Sequence, residues 1–277
     1  MTASPTPGLA LFRDATETLF SLAERRGIVA PARHFVADAD EAHRLALDGP
    51  LPIVGMSLDD LLECSQMDHP AAGSLVAFHG VHRGFLQLMA RPGIASIADL
   101  RGKRVAVDTD SGYARALYDI LTRRGLRDAV EIVYAGATNL RYEKLVAGQF
   151  DATLLGAPFT RLAQRLGYVS LGSIIDALGG YQAIVLVAQA DWLAAHPAEA
   201  AAVTDCLDQT IAWGQANPAE AAALLGDAEI AADLFGPSGE FLPDGRVAPA
   251  DAGVVVDLFN ASTGRAVAYD AATGRVA

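Results

Sequence analysis

Short apolar runs alternate with longer amphipathic stretches along most of this chain. That alternation confines it to an α/β architecture, with sheet strands joined by helices packed on the sheet faces. Gly8–Phe12 reads as a first strand and Asp14–Arg26 as a helix with Leu19, Phe20, Leu22 and Ala23 on one face. Glu41–Leu47 is predicted as a short helix stopped by Asp48-Gly49-Pro50, Leu51–Gly55 as a strand, and Leu58–Cys64 as the start of another helix. Ser74–Phe78 and Phe85–Ala90 are predicted strands on either side of the polar segment His79–Arg83.

A new unit begins near Ile97. Its predicted elements are strand Val105–Val107, loop Asp108–Gly112, helix Tyr113–Arg124, strand Val130–Tyr134, helix Asn139–Ala147, strand Ala152–Leu155 and helix Pro158–Leu166. Ala183–Ala188 is a further apolar strand, followed by Ala-rich helices at Asp191–His196, Ala198–Ala216 and Pro218–Leu225. From about Gly236 the sequence reads as loop-rich, with an apolar patch at Val254–Phe259. No repeat or flexible linker divides the chain. Strands near 85–90 and 183–188 bracket the middle block, as they do when a chain leaves one lobe, builds a second and returns. The expected division is 1–90 with 185–277 in one lobe and 91–184 in the other, with two crossings as a hinge and a cleft between the lobes.

A net charge of −12 excludes an extended polyanion-binding surface, which needs clustered Lys and Arg, so no nucleic-acid partner is expected. No segment approaches the ~20 apolar residues of a membrane span. Residues 1–8 carry no basic region and Leu9–Phe12 is too short for a signal sequence's apolar core, so the chain as written reads as cytoplasmic; a leader ahead of it makes it periplasmic. Cys64 and Cys206 have no metal or redox spacing and are either a disulfide or two buried thiols.

Several segments carry a family resemblance. Ser96-Ile-Ala-Asp-Leu-Arg-Gly-Lys-Arg-Val-Ala-Val107 resembles the segment that opens the second lobe of ABC-transporter solute-binding proteins of the sulfonate, nitrate, taurine and thiamine-pyrimidine group. The likeness continues through Asp108–Ala114, Leu145–Leu155, Ala157-Pro-Phe159, Gly180-Tyr-Gln182 and Asp191-Trp192, in the family's order. It implies a two-lobed periplasmic-binding-protein type II fold holding a small organic ligand, anionic or heterocyclic, with an ABC permease as partner if the chain is exported. The same fold hosts enzymes, among them aryl-sulfinate desulfinases and pyrimidine synthases. Desulfinases place a cysteine near the end of the first strand, where this chain has Arg13 and Asp14, so cysteine-based desulfination is not expected and Arg13 and Asp14 are candidate ligand contacts at that position.

Ligands in open α/β sheets bind beyond the carboxyl ends of the strands. Thr109, Ser111, Gly112 and Tyr113 follow such a strand and open a helix, where hydroxyls and free N–H groups suit an anion; the alternative is plain helix capping. Asp108 and Asp110 oppose an anion there, which keeps a neutral or zwitterionic ligand open. Asp59 and Asp60 begin another helix, either lining the cleft or favouring the helix start behind Ser57. Arg141 is electrostatically misplaced at a helix N-terminus, which suits a ligand role or a salt bridge equally. Phe159 and Tyr181 are either core or stacking residues, and Gln182 is a candidate for a ligand's polar edge.

His79, His82 and Arg83 share one polar segment, with histidines as candidate acid or base and Arg83 as an oxyanion clamp; a solvated loop is the plainer reading. No third ligand completes a metal set and no cofactor fingerprint occurs, so no metal or cofactor is expected. Two functions follow. The chain either captures a small molecule reversibly, or is a lyase or hydrolase acting on a carboxylate- or sulfinate-type substrate through these three residues.

Overall fold

The structure, a computed structural model, describes residues 7–277; the reading of residues 1–6 as lacking a basic region lies outside them. In chain order it contains β1 (Leu9–Leu11), α1 (Ala15–Arg25), β2 (Arg33–Phe35), α2 (Ala39–Asp48), β3 (Ile53–Ser57), α3 (Leu58–Ser65), β4 (Leu75–His82), β5 (Gln87–Ala90), β6 (Arg104–Val107), α4 (Tyr113–Arg123), β7 (Glu131–Tyr134), α5 (Thr138–Val146), β8 (Ala152–Leu155), α6 (Phe159–Arg165), β9 (Val169–Ser173), α7 (Ile174–Leu178) and β10 (Ile184–Gln189). The helices α8 (Ala190–Ala195), α9 (Pro197–Ala216), α10 (Pro218–Leu225), α11 (Ala228–Phe235) and α12 (Pro249–Thr263) follow, with a small hairpin of β11 (Tyr269–Asp270) and β12 (Arg275–Val276).

Two five-stranded sheets form two lobes, in the orders β2-β1-β3-β10-β4 and β7-β6-β8-β5-β9. In each, three neighbouring strands run parallel through helical crossovers, and the two remaining strands join antiparallel. β5 pairs with β8 and β9, so Gln87–Ala90 belongs to the second sheet and the first crossing lies at Arg83–Leu86, earlier than residue 90. β10 returns the chain to the first sheet, between β3 and β4.

Two local readings are corrected. The polar segment at 79–82 is the end of β4, because β10 supplies backbone partners that sequence polarity does not report. The region beyond Gly236 is not all loop. Val254–Phe259 lies within α12, whose Pro249 start and Gly264 end are ordinary helix punctuation. The short helix α11, opened by Asp227 through its N-cap contacts, also escaped the pattern.

The C-terminal segment closes the exposed edge of the first sheet. Ala77 N–H donates to Gly274 O (2.9 Å), Gly80 N–H to Gly245 O (2.7 Å), and Leu242 N–H to Val81 O (2.9 Å), so the β4 edge is not left open for intermolecular pairing. At the crossing, Arg83 N–H donates to Glu240 O (3.0 Å) and Phe85 N–H to the Glu240 carboxylate (2.6 Å), holding Phe85 in the left-handed region. Among the described residues no helix is long and apolar enough to cross a membrane.

Candidate functional site

The parallel strands β1, β3 and β6 point their carboxyl ends into the gap between the lobes, and the helices that follow begin there. Hydrogen-bonding backbone groups and short polar side chains therefore converge on it. The first lobe contributes Phe12, Asp14, Ser57 and Asp60; the second contributes Asp108, Ser111, Tyr113, Thr138 and Arg141. The cavity is about 510 Å³ between atomic surfaces including its mouth, of which about 30 Å³ is open to the centre of a water-sized molecule. Its walls are therefore close together, and their groups already meet across the gap.

Asp60 is the best satisfied of these groups. It is 3 % exposed and accepts from His43 Nε2 (3.0 Å), Ser57 Oγ (2.7 Å) and, from the other lobe, Ser111 Oγ (2.9 Å). Burial works against its charge, but His43 and the two hydroxyls outweigh it and hold the carboxyl below its usual range. His43 is correspondingly raised: its burial is overcome by the hydrogen bond and charge of Asp60. His43 was not singled out in the sequence. Its signal is a polar residue among Ala39, Ala42, Ala46 and Leu47 on the buried face of α2. Gly112, at φ +58, lets the α4 start approach Asp60 closely; a Cβ there meets Asp60 Oδ2 at 3.1 Å.

Arg141 and Asp108 form the opposite wall. Arg141 is 2 % exposed and donates to Gly136 O (2.5 Å), Thr138 Oγ1 (3.2 Å) and Leu154 O (3.4 Å, twice). These contacts engage four of a guanidinium's five N–H groups. Its nearest carboxylate, Asp108, stands 4.0 Å away. Burial lowers the Arg141 pKa, against the pull of Asp108. Burial likewise raises Asp108 to about 6, opposed by Arg141 and reinforced by Asp60 and Asp38. Asp108 Oδ1 is buried without a hydrogen-bond partner.

The other predicted residues are distributed around this cavity. Asp14 caps α1, Oδ1 accepting from Thr16 N–H (2.8 Å), and lines the cavity. Arg13 points outward, its guanidinium 3.8 Å from the Phe35 ring centre. Thr109 bonds Ser111 (Oγ1 to Oγ, 2.9 Å) and faces an outer vestibule with Asp38 and Asp110. Asp59 is buried beside the cavity, accepting from Gly112 N–H (2.8 Å) and Arg115. Tyr181 packs edge-on against Tyr113 with ring centres 6.2 Å apart. Gln182 donates to His82 O (3.3 Å) and Ile184 O (3.1 Å), a buried brace for the return crossing. Phe159 packs on Tyr142 in the small second core of lobe two.

The His79–His82–Arg83 group does not assemble. His79 turns to Asp208 on α9 (3.1 Å), and Arg83 makes a two-pronged pair with Asp251 on α12 (both contacts 2.9 Å). His82 lies between Phe85 and Phe241, with Nε2 3.7 Å from Asp14. Strand alternation with a bulge against β10 sends the first two to different surroundings. Cys64 and Cys206 are free and buried; burial raises both thiols, Cys206 to about 11. Among the described residues no cluster of three or more His, Cys, Asp or Glu side chains has a metal-holding arrangement.

Comparison with solved structures gives the fold. The ligand-binding component of an ABC-type import system from Staphylococcus aureus, solved with zinc bound, is 10% identical with a TM-score of 0.74 over 95% of this chain and 93% of that one. The alkanesulfonate-binding protein SsuA from Xanthomonas axonopodis pv. citri, bound to MOPS, is 18% identical with a TM-score of 0.69 over 95% and 92%. A Candida albicans gene product with the generic periplasmic binding protein fold is 14% identical with a TM-score of 0.68 over 97% and 93%. The two-lobed architecture is thus the periplasmic-binding-protein type II fold. No curated protein matches the sequence at a significant level. Residues 76–221, more than half of the chain and spanning the second lobe with both crossings, match the family described as NMT1/THI5 like, and the chain belongs to that family.

Proposed function

We propose that this protein captures one small polar organic molecule, presenting adjacent hydrogen-bond donor and acceptor groups, in the interlobe cleft and releases it unchanged. The observation that carries this reading is the Arg141–Asp108 wall. A buried guanidinium has its nearest carboxylate at 4.0 Å, and the neighbouring Asp108 Oδ1 is buried without a partner. An unpartnered buried oxygen is costly, so Asp108 Oδ1 favours a molecule that supplies a donor, and the one Arg141 N–H that no protein acceptor engages is left for an acceptor of the same molecule. The edge of a nitrogen heterocycle or a compact zwitterion meets that requirement. A purely anionic group meets only half of it.

An ABC permease as the recipient of the ligand, and export of the chain to reach it, go with this reading. The catalytic alternative has less support: its three residues are dispersed, and both thiols are buried with raised pKa values. The test is a thermal-shift screen of aminopyrimidines, amino acids, carboxylates and sulfonates, followed by calorimetry and mass analysis of each hit. Expected is binding of donor-and-acceptor compounds, recovered intact, and a loss of about 10- to 100-fold in Arg141→Met for one charge-assisted hydrogen bond. Tight binding that survives Arg141→Met, or recovery of a chemically altered compound, overturns the proposal.

A further inference from the structure

Arg115, in the first turn of α4, is a cation of the second lobe seated in a socket of the first. It is 9 % exposed. It donates to Asp59 and to Glu63 Oε2 (2.5 Å), both on α3, and its guanidinium lies 4.8 Å from the ring centre of Phe259 on α12. Asp59 is 1 % exposed and takes a second donor from lobe two, the Gly112 N–H at 2.8 Å. Neither Asp59 nor Arg115 lines the cavity, although their neighbours Asp60, Ser111 and Gly112 do.

We propose that Arg115 and Asp59 are positioning residues that latch the lobes in the closed arrangement, and so set the affinity of the cleft without touching the molecule it holds. A buried pair gains little net energy over an apolar pair of equal volume, but loss of one partner leaves an uncompensated buried charge. Removing Arg115 leaves the buried Asp59 with only the Gly112 N–H, and removing Asp59 leaves Arg115 with only the partly exposed Glu63, so the closed arrangement tolerates loss of either group alone less well than loss of both. Opening relieves a lone charge by hydrating it, so a single variant shifts the population toward open. Apparent affinity scales with the closed fraction, and a tenfold fall in that fraction weakens binding tenfold. Only this affinity consequence rests on the cleft-binding reading; the interlobe distance does not, so the two can fail separately.

The experiment measures interlobe distances by electron–electron double resonance in the full chain without added ligand. Nitroxides are placed at Val29→Cys in lobe one and Val146→Cys in lobe two, both exposed positions, while the native cysteines are buried. Asp59→Asn and Arg115→Met are each expected to move the distribution toward longer distances. The double variant Asp59→Leu with Arg115→Met is expected to return it toward the parent's. A merely structural role predicts lower thermal midpoints with unchanged distances, and that result overturns the proposal. If the single variants do not fold, amide exchange of Gly112 in the unsubstituted protein decides. Its acceptor lies across the gap, so protection is expected, and exchange at the unprotected rate refutes the latch.

Discussion

Replacing Asp108 by asparagine should remove part of the pH dependence of stability. Its carboxyl lies in the cleft wall with a side-chain exposure of 19%, and burial raises its pKa to about 6. Arg141 opposes the shift, but it is 4.0 Å away and directs four N–H groups at uncharged acceptors, so desolvation prevails. In the unfolded chain the group titrates near 3.9. A carboxyl with a raised folded-state pKa holds its proton more tightly when folded. Acid therefore favours the fold, and stability present below about pH 4 is lost as pH rises through about 6. A shift of roughly two units at 1.36 kcal/mol each is about 3 kcal/mol. Asparagine cannot titrate, so between pH 4 and pH 7 the parent should lose about 2–3 kcal/mol relative to Asp108→Asn. Urea titrations of both proteins at half-unit pH steps measure this, and offsets unrelated to ionisation cancel in the slope. A flat difference, or a parent that gains on the variant as pH rises, refutes the reasoning. It means that Arg141 already neutralises Asp108, which removes the case for a ligand donor at that wall.

Three further outcomes are expected. His43→Ala strips Asp60 of its charged partner and should destabilise the fold by about 3 kcal/mol at pH 6, the two serine donors holding the loss to the low end for a broken buried pair. Because the His43 pKa is raised, that loss should shrink above its folded-state pKa; urea titrations at pH 6 and pH 9 check both points. Gly112→Ala places a Cβ against Asp60 at a positive φ and should destabilise by about 1–3 kcal/mol, read by thermal unfolding, whereas Gly253→Ala, with nothing within 4 Å, should not. Both thiols should resist a thiol-reactive disulfide reagent in the native protein and react once urea unfolds it; prompt labelling of either refutes its burial.

Much of the fold was legible from pattern. The parallel units are local: β6, the turn at 108–112, α4 and β7 follow one another, and each carries its own apolar period and punctuation. What misled was polarity. His79 and His82 read as loop because strand propensity is scored on side chains, whereas β4 is held by backbone pairing to β10, about a hundred residues later. α12 was missed because its apolar residues were visible only as a patch, without a partner surface to give them a face.

The candidate site divides in the same way. Asp60, Ser111, Gly112 and Tyr113 were reachable from sequence because each follows a strand's carboxyl end, and topology carries such positions to the cleft; Arg141 was reachable as a cation misplaced at a helix start. That rule could not assign Asp60 to His43, Asp59 to Arg115, or Arg83 to Asp251, since each pair joins elements separated in the chain. Sequence alone determined the alternating α/β architecture, since hydrophobic period and turn chemistry are local properties, and the family resemblance implied the two lobes. Only the tertiary structure decided which charges are neutralised, and it leaves Arg141 and Asp108 incompletely matched in the cleft wall. Pairing energy falls with distance and depends on burial, and neither is written in the order of residues.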